Sequence, residues 1–90
     1  MSTLEEIRTS LATLQPSVCE IEDESHRHAG HAGARGGGGH FRLRIVSAHF
    51  NGLPLLARHR LIHTTLGALM QGPIHALSIT ASTPEEASSH

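Results

Sequence analysis

The 90-residue sequence predicts an α+β domain, with helices laid on a three-stranded sheet in the order α-β-β-α-α-β. Three observations predict it. Apolar residues recur at helical spacing in Leu4, Ile7, Leu11 and Leu14, and again in Leu61, Ile62, Leu66 and Leu69. They alternate at the period of a strand between Ser17 and Glu24 and between Phe41 and Ser47. Between those two runs lies a glycine- and histidine-rich stretch, the composition of a long hairpin tip.

Each element has its own local cause. Ser2 with Glu5, or Thr3 with Glu6, forms a capping-box pattern ahead of the first apolar face, and Pro16 follows its end. A helix over residues 3–14 results. In the next strand, Val18, Glu20 and Glu22 lie on one side and Cys19 and Ile21 on the other. Residues 26–40 hold four histidines, six glycines and no large apolar side chain before Phe41. Such a stretch buries nothing, so residues 29–39 are expected to be the most mobile internal segment. The following strand turns Phe41, Leu43 and Ile45 inward and Arg42 and Arg44 outward. Asn51-Gly52 marks a turn, and Pro54 suits the first turn of a short leading helix. Helical periodicity then runs to Met70, Gly72-Pro73 stops it, and residues 74–80 read as the third strand. Thr83-Pro84-Glu85-Glu86 has the form of a helix start, but only four residues follow. One domain over residues 1–84 and a short, frayed tail over 85–90 are therefore expected.

Composition excludes several function classes. A single domain usually needs about 100–150 residues, so there is room for one thin core. The apolar fraction is 38%, and Phe41 and Phe50 are the only aromatic residues besides histidine. The formal net charge of −1, with seven arginines and no lysine, creates no general field toward nucleic acid or anionic membrane. One cysteine, Cys19, rules out an internal disulfide framework and fits a reducing compartment. No apolar run is long enough to span a membrane, and residues 1–15 lack the pattern of a signal peptide, so a cytoplasmic protein is expected. No enzyme motif stands out: Gly36–Gly39 leads into a strand, whereas a phosphate cradle leads into a helix with a lysine.

Nine histidines leave metal ligation as the main chemistry to consider. A ligating imidazole needs a neutral nitrogen, an oriented ring and an approachable backbone. His26, His28, His31 and His40 lie on or beside the glycine-rich stretch, where they suit either ligation or a solvated turn. Strand alternation puts His75 on the side of Leu77 and Ile79, as a core histidine, yet its place just after Gly72-Pro73 also suits the sheet rim. A zinc site built from loop histidines without cysteines would be a poor structural site. A second candidate is the Arg58-His59-Arg60 block. On a helix Arg58 borders the buried face beside Ile62, while His59 and His63, four apart, share the outward face with Arg60. Outward basic groups on a helix after a turn suit phosphates and base edges. They equally suit a solvated face, with Arg58 paired to Asp23 or Glu24.

Four blocks in order carry a family resemblance: Asp23-Glu24-Ser25-His26-Arg27-His28; His40-Phe41 through Ile45-Val46-Ser47, with Phe50 and Gly52; Arg58-His59-Arg60-Leu61-Ile62-His63; and Ile74-His75-Ala76-Leu77-Ser78-Ile79. Together, from Leu4 to about Pro84, they resemble the BolA family. The resemblance implies a mixed sheet in a fold like a type II KH domain, although the KH glycine signature for single-stranded RNA is missing. It implies a non-enzymatic protein with two roles discussed for the family. One is partnership with a monothiol (CGFS-type) glutaredoxin, sharing a [2Fe–2S] cluster in iron–sulfur assembly or iron regulation. The other is binding of double-stranded DNA through the helix-turn-helix-like region 53–70, linked to morphology and stress responses. For the first role the resemblance implies His75 as one cluster ligand and His28, with His31 as alternate, as the other. For the second it leaves Arg58, His59, Arg60 and His63 as contacts. A monomer that needs no metal to fold, and that becomes a heterodimer with glutaredoxin, is the corresponding expectation.

Overall fold

The computed structural model describes residues 2–25 and 39–88. The expected 29–39 loop falls outside them except for Gly39, which opens a strand. Helix α1 spans Thr3–Leu11 and tightens into a 3₁₀ turn over Ala12–Leu14. Of the two capping patterns in the sequence, the one at Ser2 is used: its side chain accepts from the Glu5 N–H at 3.2 Å. Glu5 and Glu6 in the first turn suit the positive end of the helix dipole. Ile7, Leu11 and Leu14 form the buried stripe, and Gln15, at φ 50°, turns the chain away.

Strand β1 (Val18–Asp23) pairs antiparallel with β2 (Gly39–Val46), from Val18 opposite Val46 to Asp23 opposite Phe41. Strand β3 (Ile74–Ser82) lies parallel to β2 on its other side, so the sheet is mixed, in the order β1-β2-β3. The ladders set Phe41, Leu43 and Ile45 beside Leu77, Ile79 and Ala81 on the side the helices cover. Cys19 and Ile21 border the same core, half-buried.

Three helical segments separate β2 from β3, with boundaries unlike those of the sequence pattern. The first is a 3₁₀ turn over Ala48–Phe50, capped by Ser47, whose hydroxyl accepts from the His49 N–H at 3.0 Å. The same hydroxyl donates to the Leu14 carbonyl at 2.6 Å, joining the end of α1 to the end of β2. After the Asn51-Gly52 turn, where Gly52 takes φ 79°, Pro54 stands immediately before α2 (Leu55–Leu66). The α-helix ends four residues short of Met70 because Gly67 adopts φ 55°, and a 3₁₀ segment continues to Gln71. The buried residues of α2 are Arg58, Ile62 and Leu66, one per turn. A charged group therefore occupies the first position of an apolar stripe.

Arg58 is 7% exposed, and its neighbours explain how that is tolerated. Its Nε donates to the Leu53 carbonyl at 2.8 Å and its Nη1 to the Ala81 carbonyl at 3.1 Å. Nη1 and Nη2 grip both oxygens of Glu86 at 2.7 and 3.0 Å. The carboxylate partner is thus Glu86 in place of Asp23 or Glu24. Glu86 also closes a capping box: Thr83 N–H donates to Glu86 Oε1 at 2.9 Å, and Glu86 N–H donates to Thr83 Oγ1 at 3.1 Å. These bonds open a short helix, α3, over Pro84–Ser88, within the short tail expected over 85–90.

The Arg58 grip, followed by the Thr83 N–H, pulls the Glu86 carboxyl from 4.5 down to about 2. Because the folded value is the depressed one, this pair stabilises fully above about pH 4.5 and its contribution fades as pH falls toward 2. The stability difference between wild type and Glu86→Gln should accordingly shrink across that window in denaturant titrations. A difference independent of pH would contradict the pairing. Arg58→Ala leaves the Leu53 and Ala81 carbonyls without their donors and should cost about 1–3 kcal/mol, read from the unfolding midpoint. The clustered core is built of apolar side chains only. Thermal unfolding should consequently be unchanged by a strong chelator, and loss of cooperativity on chelation would disprove metal-free folding.

Candidate functional site

The parallel ladder between β2 and β3 slips at its first rungs. Gly39 pairs with Ile74 and His40 with Ala76, so β3 carries one extra residue, His75, between successive partners. This is a β-bulge, and it changes which way the chain faces. Ile74 is buried in the core at 2% exposure, His75 and Ala76 are both exposed, and inward packing resumes at Leu77. Uninterrupted alternation would have placed His75 beside Leu77 and Ile79. The bulge breaks that parity, and His75 stands at the rim.

The residue that meets it is His40. The two imidazole centroids are 5.2 Å apart with the ring planes tilted by 39°. His40 is held by its backbone: its N–H donates to Ser25 Oγ at 3.0 Å, and its carbonyl accepts from the Glu24 N–H at 2.7 Å. Next to it, the Gly39 N–H donates to the Pro73 carbonyl at 2.7 Å. A side chain at position 39 would collide with the Phe41 ring and approach Ser25 Oγ to 2.9 Å, so glycine is required where the strands converge. Asp23 Oδ1 accepts from the Ser25 N–H at 2.9 Å and shapes the chain leaving β1. Ser25 and Gly39, the described residues that flank segment 26–38, therefore meet at the His40–His75 rim. His28 and His31 belong to that segment and lie outside the described residues.

Among the described residues, no three histidine, cysteine or acidic side chains are placed to hold a metal ion together. The rim supplies two imidazoles, so any metal bound there would need donors from elsewhere. His40 was one of four loop-side histidines in the sequence, and its pairing with His75 was not foreseen. The signal lay in the motif His40-Phe41: inward Phe41 fixes the strand and thereby the direction of the residue before it.

The basic block on α2 separates into two kinds of residue. Arg58 faces inward and is consumed by Leu53, Ala81 and Glu86, so its expected contact with phosphate does not fit this geometry. Arg60 and His63 are exposed and His59 is half-buried. On the open side of the sheet, Arg44 pairs with Glu20 at 3.2 Å and Arg42 with Glu24 at 3.4 Å. Burial pushes the Cys19 thiol up, against the opposing charge of Arg8, which disfavours the reactive thiolate. No helix among the described residues is long and apolar enough to cross a membrane.

Comparison with known proteins agrees with this architecture. The chain is 50% identical over 78 residues to SufE-like protein 1, chloroplastic/mitochondrial, of Arabidopsis thaliana, a match covering 81% of this chain and 21% of that protein. It is 48% identical over 81 residues to BolA-like protein 1 of Pongo abelii, covering 89% of this chain and 57% of that one. The chain thus spans little more than half the length of the BolA-like relative, and a fifth of the other. The solved structure of BolA1 from Arabidopsis thaliana superimposes with a TM-score of 0.80 at 36% identity, covering 96% of each chain. Residues 11–86 match the family model described as BolA-like protein, and with the shared mixed-sheet fold this shows that the chain belongs to the BolA family.

Proposed function

We propose that this chain is a non-enzymatic adaptor that binds a monothiol glutaredoxin and supplies histidine ligands to a shared [2Fe–2S] cluster. The observation that carries the reading is the exposed His75 on the bulge of β3. Its backbone position is set by the sheet ladder, so ligation there costs little ordering. His28, with His31 as alternate, is the second ligand of the proposal. These residues sit on a glycine-rich stretch, where each residue fixed costs about 1–2 kcal/mol of backbone entropy. The flanks of that stretch, Ser25 and Gly39, are tied at the same rim, which supports delivery of a donor to His75.

The cluster is then the cargo that is assembled, passed on or sensed, and this chain positions imidazole nitrogens against it. A monomer alone, a heterodimer with glutaredoxin and a cytoplasmic setting complete the proposal. Double-stranded DNA ranks below it as a partner, because Arg58 is buried and Arg42 and Arg44 are paired with carboxylates.

Mixing the chain with cluster-loaded glutaredoxin should change the visible spectrum. His75→Ala should abolish the signature of the mixed complex, while His28→Ala should weaken or shift it, His31 being able to substitute. Far-ultraviolet circular dichroism has to stay unchanged for the comparison to count. A well-folded His75→Ala variant that yields the wild-type cluster spectrum would sink the assignment.

A further inference from the structure

We infer that His40 and His75 form a two-imidazole chelate for one borderline divalent transition-metal ion, of the Zn²⁺ or Co²⁺ class, which the chain presents without any partner protein. The inference shares His75 with the proposed function, adds His40 to the rim, and does not depend on glutaredoxin.

The first support is distance. A tetrahedral ion bound at about 2.0–2.1 Å by two ring nitrogens holds the two ring centroids about 5 Å apart. The centroids of His40 and His75 are 5.2 Å apart. The separation of the two rings therefore matches what such a chelate needs. The tilt of 39° shows that they are not stacked face to face.

The second support is how the two rings are mounted. They come from neighbouring strands, with no flexible loop between them and the sheet. His40 is fastened through its N–H and its carbonyl to Ser25 and Glu24. His75 is the extra residue of the bulge, carried between the rungs at Ile74 and Ala76. Bulges at rims commonly re-aim a side chain, and here the effect is to bring a second imidazole to His40. Sites mounted on strands lose less conformational freedom on binding than sites on loops.

The third support concerns what the site lacks. No third histidine, cysteine or carboxylate joins the pair among the described residues. A four-coordinate ion held there keeps open positions for water or for donors of another molecule. Such an ion is exchangeable, in contrast to a closed structural site. His59 and His63 on α2, four residues apart, make the competing chelate within the same chain.

The test uses the full, untagged chain. Zn²⁺ is titrated while the ring nitrogens of each histidine are followed by long-range imidazole ¹H–¹⁵N correlation, and Co²⁺ binding is followed by visible absorption. The His40 and His75 rings should shift together at one equivalent. Loss of outer-shell groups alone weakens metal binding about 10–100-fold, so His75→Ala and His40→Gln should each weaken it at least tenfold. His28→Ala with His31→Ala should leave it intact. Should His40→Gln unfold, the wild-type ring shifts still decide the matter. Binding that shifts His59 and His63 first, or that vanishes with His28 and His31, would overturn the inference, as would the absence of saturable binding. A normal Zn²⁺ titration beside an unaltered glutaredoxin spectrum would overturn the adaptor reading while leaving the chelate standing.

Discussion

One guanidinium organises the C-terminal half of this domain. Arg58 sits on the buried stripe of α2 and reaches three other parts of the chain: the Leu53 carbonyl before the helix, the Ala81 carbonyl near the end of β3, and Glu86 on α3. Taking a charge out of water is costly, and only good geometry with nearly complete hydrogen bonding offsets it. Arginine meets that demand because its planar fork carries five donors in fixed directions, while lysine has a single point charge. The consequence reaches the core. With Arg58 locked, Ile62 and Leu66 fall on the sheet one and two turns later, and α3 docks beside β3.

The two ends of β3 are built for different ends of that constraint. At Ala81 and Ser82 the strand is pinned, by Arg58 on one side and by the Ser47 N–H to Ser82 carbonyl bond at 3.1 Å on the other. Six residues back, about 20 Å along a strand, the register slips and His75 is released from alternation. A parallel ladder that is tight at one end can absorb an extra residue at the other without disturbing the core between them. Leu77, Ile79 and Ala81 keep their places against Phe41, Leu43 and Ile45. The candidate chemistry thus sits at the end of the sheet where the register slips, held there by backbone bonds at Glu24, Ser25 and Pro73.

Charge on the open side of the sheet is arranged in pairs. Glu20 with Arg44 and Glu24 with Arg42 cancel locally, consistent with a net charge of −1. Exposed pairs of this kind contribute little to stability. Their effect on recognition is larger, because arginines already facing carboxylates offer a polyanion a weak field.

Local chemistry was legible in the residues themselves. The apolar periods of α1, β2 and α2 and the helix start at Thr83–Glu86 are set by neighbours within about one turn or a few strand residues, so their spacing alone determines them, and it narrowed the cap of α1 to two patterns, of which Ser2 is the one used. The four ordered blocks likewise identified the family. Two decisions came only with the tertiary structure. Arg58 pairs with Glu86, 28 residues away, in place of Asp23 or Glu24, because the β2–α2–β3 crossover brings α3 to the start of α2. His75 faced the rim beside His40 because a ladder between distant strands admitted one extra residue. Period-two alternation cannot report such an insertion, since the register of a parallel pair is decided by packing across the sheet and leaves no local pattern in either strand.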